Sequence, residues 1–226
     1  MNKVIRGIAD FVRRKRPGLR ATFQRLAQGQ EPVALLVACS DSRIVSSLLL
    51  GTEPGDLFEV RTVGNLVAPA APGGEASVGD RSEAAAIEYA LLALEVHHVI
   101  VLGHSGCGAM KAVTSGHLPK GAPNLERWLD HARASRAKLE RSPRIDPALP
   151  PEDRLSQANV LQQLEHIRSY ALVAERLGRG DLELYGGWFE VATADLHVWR
   201  SAEERFIRVD EKVIAHALVR RSAASS

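Results

Sequence analysis

The chain alternates between short apolar runs and longer segments whose apolar residues recur every three or four positions. "VALLVA" (33–38), "LFEVR" (57–61) and "HHVIVLG" (97–103) are short, rich in aliphatic residues and bounded by polar or glycine-containing turns. That pattern predicts buried strands of a parallel sheet. "LELYGGWFEVATADLHVW" (182–199) alternates like a strand, turns around Thr193–Asp195 and continues as another. The intervening periodicity predicts helices: 3–16, stopped by Pro17-Gly18, then 19–28. A further helix opens on Asp80 as cap, with Glu83 three residues on, and carries Ile87, Ala90, Leu91 and Leu94 as one stripe. Residues 106–116 begin with glycines and continue as a helix, 124–140 are helical, and proline-rich 142–151 is a loop. One long helix with Val160, Leu164, Ile167, Ala171 and Ala174 on a single face runs to near Gly178, and 211–221 closes the chain. Strands alternating with helices predict an α/β fold, a central and mostly parallel β-sheet flanked by helices.

At 226 residues the chain suits one domain, 1–226, with 1–28 as an N-terminal helical arm and 221–226 as a frayed tail. A net charge of +2 gives no argument for nucleic acid, and "RRKR" (13–16) reads as a solvated helix face. No apolar run approaches the roughly 20 residues of a membrane span. The first residues place charge after apolar positions, the reverse of a secretory signal, so the expected compartment is the cytoplasm. The two cysteines, Cys39 and Cys107, then suit a metal or a reaction better than a disulfide.

Two of the predicted strands end in chemistry: "CSDSR" (39–43) after the first and "GHSGCG" (103–108) after the third. In open α/β sheets, sites gather at the carboxyl ends of strands, so these segments can meet. Cys39, His104 and Cys107 are soft donors suited to zinc. Three protein ligands leave a position open, the pattern of a catalytic rather than a structural site. Along an extended segment Cys39, Asp41 and Arg43 point the same way. Asp41 can then orient a water at the metal or close the site as a fourth ligand, and Arg43 can hold the carboxylate in a two-pronged pair. The same residues leave open a nucleophilic Cys39–His104 pair and a non-catalytic zinc module. The remaining histidines, His97, His98, His117, His131, His166, His197 and His216, show no ligand-like spacing, and Trp128, Trp188 and Trp199 read as packing.

With these motifs the sequence resembles the β-class carbonic anhydrases. C-x-D-x-R stands as Cys39-Ser40-Asp41-Ser42-Arg43 and H-x-x-C as His104-Ser105-Gly106-Cys107. "EPGDLFEVRTVGNLV" (53–67), "NVLQQL" (159–164) and "YGGWFEV" (185–191) are also similar to the family, over roughly residues 20–200. The resemblance implies reversible hydration of CO2 to bicarbonate and a proton, with hydroxide on zinc as the nucleophile and Asp41-Arg43 orienting it. It implies that Gln30 reaches substrate across a dimer interface, so a homodimer or homotetramer is expected, the N-terminal helices packing on a partner. It implies that the apolar stretch from Val63 to Val67 lines the CO2 pocket. CS2 and COS, linear and apolar like CO2, are the nearest alternative substrates on such a scaffold. The chain departs from the family pattern at Ala38 (commonly Gly), Thr62 (Asn) and Ser105 (an aromatic or Thr), the last pointing to a wider or wetter cavity. Leu36 stands where members closed by a bicarbonate carry tryptophan, although Arg61 is kept, which favours an open site.

Overall fold

The computed structural model describes residues 1–79, 81–142 and 144–215. Six strands form one sheet: β1 (Ala34–Cys39), β2 (Leu57–Thr62), β3 (His98–His104), β4 (Glu183–Glu190), β5 (Asp195–Arg200) and β6 (Arg205–Arg208). Their order is β2-β1-β3-β4-β5-β6. β2, β1, β3 and β4 run parallel, and β5 and β6 extend the sheet antiparallel. The helices are α1 (Asn2–Asp10), α2 (Arg16–Leu26), α3 (Ser46–Leu50), α4 (Ser82–Leu92), α5 (Gly108–Ser115), α6 (Pro123–Leu129), α7 (Arg133–Glu140), α8 (Pro151–Arg168) and α9 (Ala171–Gly178). The α/β class and mostly parallel sheet are as the sequence predicts. β6 and α3 were not expected: each is only a turn or two of chain, too short for periodicity to register.

Every residue of β1 is buried because the strand is sandwiched, which is why it reads as unbroken apolar sequence. Leu35 and Val37 join Val99 and Val101 of β3 in a core with Ile87, Ala90, Leu91, Val160, Ile167 and Val173 from α4, α8 and α9. Leu36 and Ala38 face the other way, with Ile44, Leu102 and Phe189. That second face carries an open groove of about 640 Å³ lined by Val33, Ile100, Leu102, Leu196 and Val198 among others. α8 lies close on the sheet because Gly103 presents no side chain; a Cβ there would stand 2.7 Å from Val160 Cγ2.

Two expectations need correction. Pro17-Gly18 does not stop the first helix: the chain stays helical from Asn2 to Leu26 through a π-helical turn at Phe11–Lys15. The wider turn directly before Pro17 relieves the clash between a proline ring and the carbonyl four residues back. The helix expected to run to Gly178 breaks between α8 and α9, where Ser169 and Tyr170 turn to hydrogen-bond Ala70 N–H and Ala68 C=O. At α4, Glu83 is buried and its Oε1 accepts from Ala68 N–H at 3.1 Å. Asp80, His216, Pro143 of the proline-rich loop, the end of the closing helix beyond 211–215 and the 221–226 tail lie outside the described residues.

Nothing between Asn2 and Leu26 is buried. Val4, Ile5, Ile8, Phe11 and Val12 recur at helical spacing and form an exposed apolar face on the arm.

Candidate metal centre

β1 and β3 are neighbours in parallel register, Ala38 beside Leu102, so their carboxyl ends emerge together. Cys39 is the last residue of β1, His104 the last of β3, and Cys107 immediately precedes α5. Gly106 turns the chain between the latter two with φ +61°, a left-handed conformation that glycine adopts without penalty. The three donor atoms lie within 4.8 Å of one another, and all three residues are buried.

His104 is oriented by its own backbone: Nδ1 lies 2.9 Å from Ser105 O. A carbonyl only accepts, so Nδ1 carries the proton and Nε2 presents a lone pair. Nε2 is buried without a hydrogen-bond partner. A bare imidazole nitrogen converging with two thiols fits a soft divalent cation, and zinc above all. The hydrogen bond from Cys107 pulls the Cys39 thiol down to about 4 against its burial, with help from His104. The same pairing and burial push Cys107 up. The two thiols thus share one proton, which a divalent cation displaces to take both as thiolates. Burial lowers the basicity of His104, but the Cys39 thiolate outweighs it and the net shift is upward.

Asp41 and Arg43 make the two-pronged pair expected of them. Arg43 Nε donates to Asp41 Oδ1 at 2.9 Å and Nη2 to Oδ2 at 2.7 Å, while the Arg43 backbone N–H adds a bond of 2.9 Å to Oδ1. These bonds hold the carboxyl of Asp41 well below the usual carboxylate range. Oδ2 lies 3.8 Å from His104 Nε2, beside the ligand set. Arg61, on β2, donates to Cys39 O at 2.7 Å and Asp41 O at 3.1 Å, so it fixes the backbone that carries both. Leu36 is fully buried in the sheet's other face.

The remaining sequence candidates separate. Leu66 packs in the same apolar cluster as Cys39 and Cys107, with Ala109 and Met110, whereas Val67 packs in the α4–α8 core. Val63 is 43% exposed and its carbonyl accepts from Trp128 Nε1 at 2.8 Å, so Trp128 does more than pack. Gln30 is exposed and precedes β1, whereas Cys39 ends it. The Ser105 hydroxyl accepts from Val191 N–H at 2.8 Å. Thr62 donates to Leu66 O at 2.8 Å and closes the turn above the thiols.

Sequence reading missed the polar face of α8. Asn159 Nδ2 donates to Gly64 O, Gln163 Oε1 accepts from Val67 N–H and His166 Nδ1 donates to Val67 O. These bonds hold the non-strand loop 64–68 in place of a sheet partner. Ser156 donates to His104 O at 2.8 Å, and Asp153 Oδ1 accepts from Gly106 N–H at 2.6 Å. The signal was present: Asp153, Ser156, Asn159, Gln163 and His166 recur at helical spacing along 151–168.

A three-donor Cys/His/Cys set beside a carboxylate–guanidinium pair, at the carboxyl ends of parallel strands, defines an α/β metalloprotein with a catalytic type of centre. The family described as carbonic anhydrase matches residues 34–196. A carbonic anhydrase of Pseudomonas aeruginosa is 37% identical over 211 residues, 93% of this chain and 93% of that protein. One from Synechococcus elongatus is 37% identical over 199 residues, 87% of this chain and 70% of its own length. The solved structure of the β-carbonic anhydrase CcaA superposes with a TM-score of 0.83 at 32% identity, covering 93% of this chain and 92% of that one. Tetrameric β-carbonic anhydrases from Sordaria macrospora give a TM-score of 0.73 at 27% identity, covering 87% and 95%. The chain belongs to the β-class carbonic anhydrases.

Proposed function

We propose that this protein catalyses the reversible hydration of CO2 to bicarbonate and a proton, with zinc held by Cys39, His104 and Cys107. The observation that carries the reading is the position of Asp41, clamped by Arg43 beside the three donors yet outside the set. Zinc in this set supplies the Lewis acidity that activates water. The chain's residues do the rest. Asp41 is ionised and Oδ2 keeps a lone pair free of Arg43, so it accepts a hydrogen bond from an attacking O–H and aims that oxygen's lone pair at carbon, the proton staying on the oxygen. The two-pronged hold of Arg43 on that carboxylate supports an open site, with Asp41 kept out of the ligand set. The apolar wall that includes Leu66, with Val63 and Val67 in the adjoining turn, suits a substrate without charge. A thiol hydrolase would use Cys39 and His104 and leave a second buried thiol beside them without a task.

The site is completed by a second copy of the chain. Gln30 precedes β1, whose residues Ala34 to Cys39 span roughly 16 Å at about 3.3 Å per residue; that placement is consistent with the reading, taken from the family resemblance, that the Gln30 reaching substrate comes from a partner. The apolar face of the arm and the open apolar groove on the sheet support a homodimer or a homotetramer built from it. The two free cysteines suit a reducing compartment, the cytoplasm; among the described residues no helix is long and apolar enough to cross a membrane.

Stopped-flow CO2 hydration by zinc-loaded protein tests the function. Two thiolates weaken the metal as a Lewis acid relative to imidazoles, so the rate rises from neutral to alkaline pH and vanishes when zinc is removed. Asp41→Asn keeps zinc but loses turnover by about 100-fold, the scale of a misplaced reacting group. A flat pH profile, or full activity in Asp41→Asn, would remove the mechanism; turnover of COS or CS2 without CO2 hydration would reassign the substrate.

A further inference from the structure

The two peptides that set the bite of His104 and Cys107 are gripped from α8, outside the strands that carry the ligands. Asp153, in the first turn of α8, is 8% exposed and accepts the Gly106 N–H at 2.6 Å. The same peptide unit's neighbour is held from the opposite side, where Gly106 O accepts Arg43 Nη2 at 2.9 Å. Arg43 in turn fixes both oxygens of Asp41. One turn further along α8, Ser156 donates to His104 O at 2.8 Å and receives Trp188 Nε1 at 3.2 Å. An unbroken run of bonds thus leads from α8 through Gly106 to Arg43 and Asp41. Burying a carboxyl is costly, and burial pushes that of Asp153 up. Core packing does not require a carboxyl here. The hydrogen bond to Gly106 is what it provides.

Given the zinc site proposed above, we infer that Asp153 is a positioning residue: by anchoring the left-handed Gly106 turn it sets the geometry of His104 and Cys107 around the metal and the aim of the Arg43–Asp41 pair. Glycine at 106 can follow a range of backbone angles, so the turn has no stiffness of its own and takes its shape from the groups that hold it. Outer partners of metal ligands commonly change metal affinity by about 10–100-fold, and Asp153 falls in that class through the backbone rather than through a ligand's ring.

The test uses full-length protein loaded with zinc or cobalt. Asp153→Ala is expected to bind metal stoichiometrically, to release zinc to a chromophoric chelator about tenfold faster or more, and to show a shifted cobalt–thiolate absorption. Asp153→Asn keeps an acceptor oxygen for the Gly106 N–H and is expected to restore both readouts toward wild type. A purely structural role would lower the melting temperature yet leave release rate and spectrum per bound metal unchanged, which overturns the inference. Equal impairment in the Asn and Ala variants overturns it too, since charge rather than the hydrogen bond would then matter. If Asp153→Ala does not fold, Asp153→Ser, too short to reach Gly106, takes its place with the same criteria. Neither readout depends on CO2 turnover, so loss of the hydration reading leaves this test standing.

Discussion

The carboxyl ends of β1 and β3 and the N-terminal arm are built on opposite terms. At the strand ends Asp41, Arg43, Arg61, Asp153 and Ser156 find partners inside the same chain, and the buried Nε2 of His104 is left bare where a metal would take it. In the arm no residue between Asn2 and Leu26 is buried, and Ile5 and Ile8 are each more than half exposed. The difference teaches that the metal centre is specified by intrachain contacts, whereas the arm carries an apolar face that stays exposed in the single chain. Damage to one region should therefore leave the other intact.

The largest effect is expected from Cys107→Ser. Removing a ligand lowers zinc affinity by more than the roughly 100-fold typical of outer partners, read by metal analysis after dialysis, while the assembly keeps its mass. If the mass fell as well, the two regions would not be independent. The converse substitution is Ile5→Glu with Ile8→Glu. Sedimentation should then show a smaller species and CO2 hydration should fall, because Gln30 no longer reaches a neighbouring site, while zinc content stays at one per chain. Surface changes of this kind move the stability of the single chain by only about 0.5 kcal/mol. An unchanged mass would mean that the arm does not hold the assembly.

A smaller effect sharpens the picture on the site's side. Burial holds the pKa of His166 below its ordinary 6.5, so the unfolded chain takes up the proton first. The stability that neutral His166 contributes is complete above about 6.5 and declines as pH falls below it. The depressed Asp41 works in a separate window, losing its contribution only at much lower pH. Denaturant midpoints of the zinc-loaded protein should fall from pH 7.5 to 5.5, and fall less in His166→Gln, which can still donate to Val67 O. Equal slopes would mean that the loop 64–68 is not held through this histidine.

Much of the fold is legible in the chain because burial leaves a strong local mark. β1, β3 and β4 stand out as apolar or alternating runs, and Cys39, His104, Cys107, Asp41 and Arg43 lie at strand ends within two compact motifs. Other features left little trace. Pro17 reads as a stop until the π-helical turn before it is seen, and "RFIR" offers only two apolar residues to mark β6. Oε1 of Glu83 turns to Ala68, a residue separated from it by a loop, and nothing local marks that bond.

By itself the sequence determined the strand and helix class, the three donors and the carboxylate–guanidinium pair, because each is encoded by neighbours in the chain: apolar periodicity, or residues two or three positions apart. Only the tertiary structure decided that Leu66 rather than Val67 packs beside the thiols and that Ser105 turns to Val191. It alone brought Asp153, 47 residues beyond Gly106, to hold the turn. Those outcomes depend on which face of α8 meets the sheet and how closely Gly103 lets it approach. Contacts of that kind are made between segments far apart in sequence, and no local pattern records them.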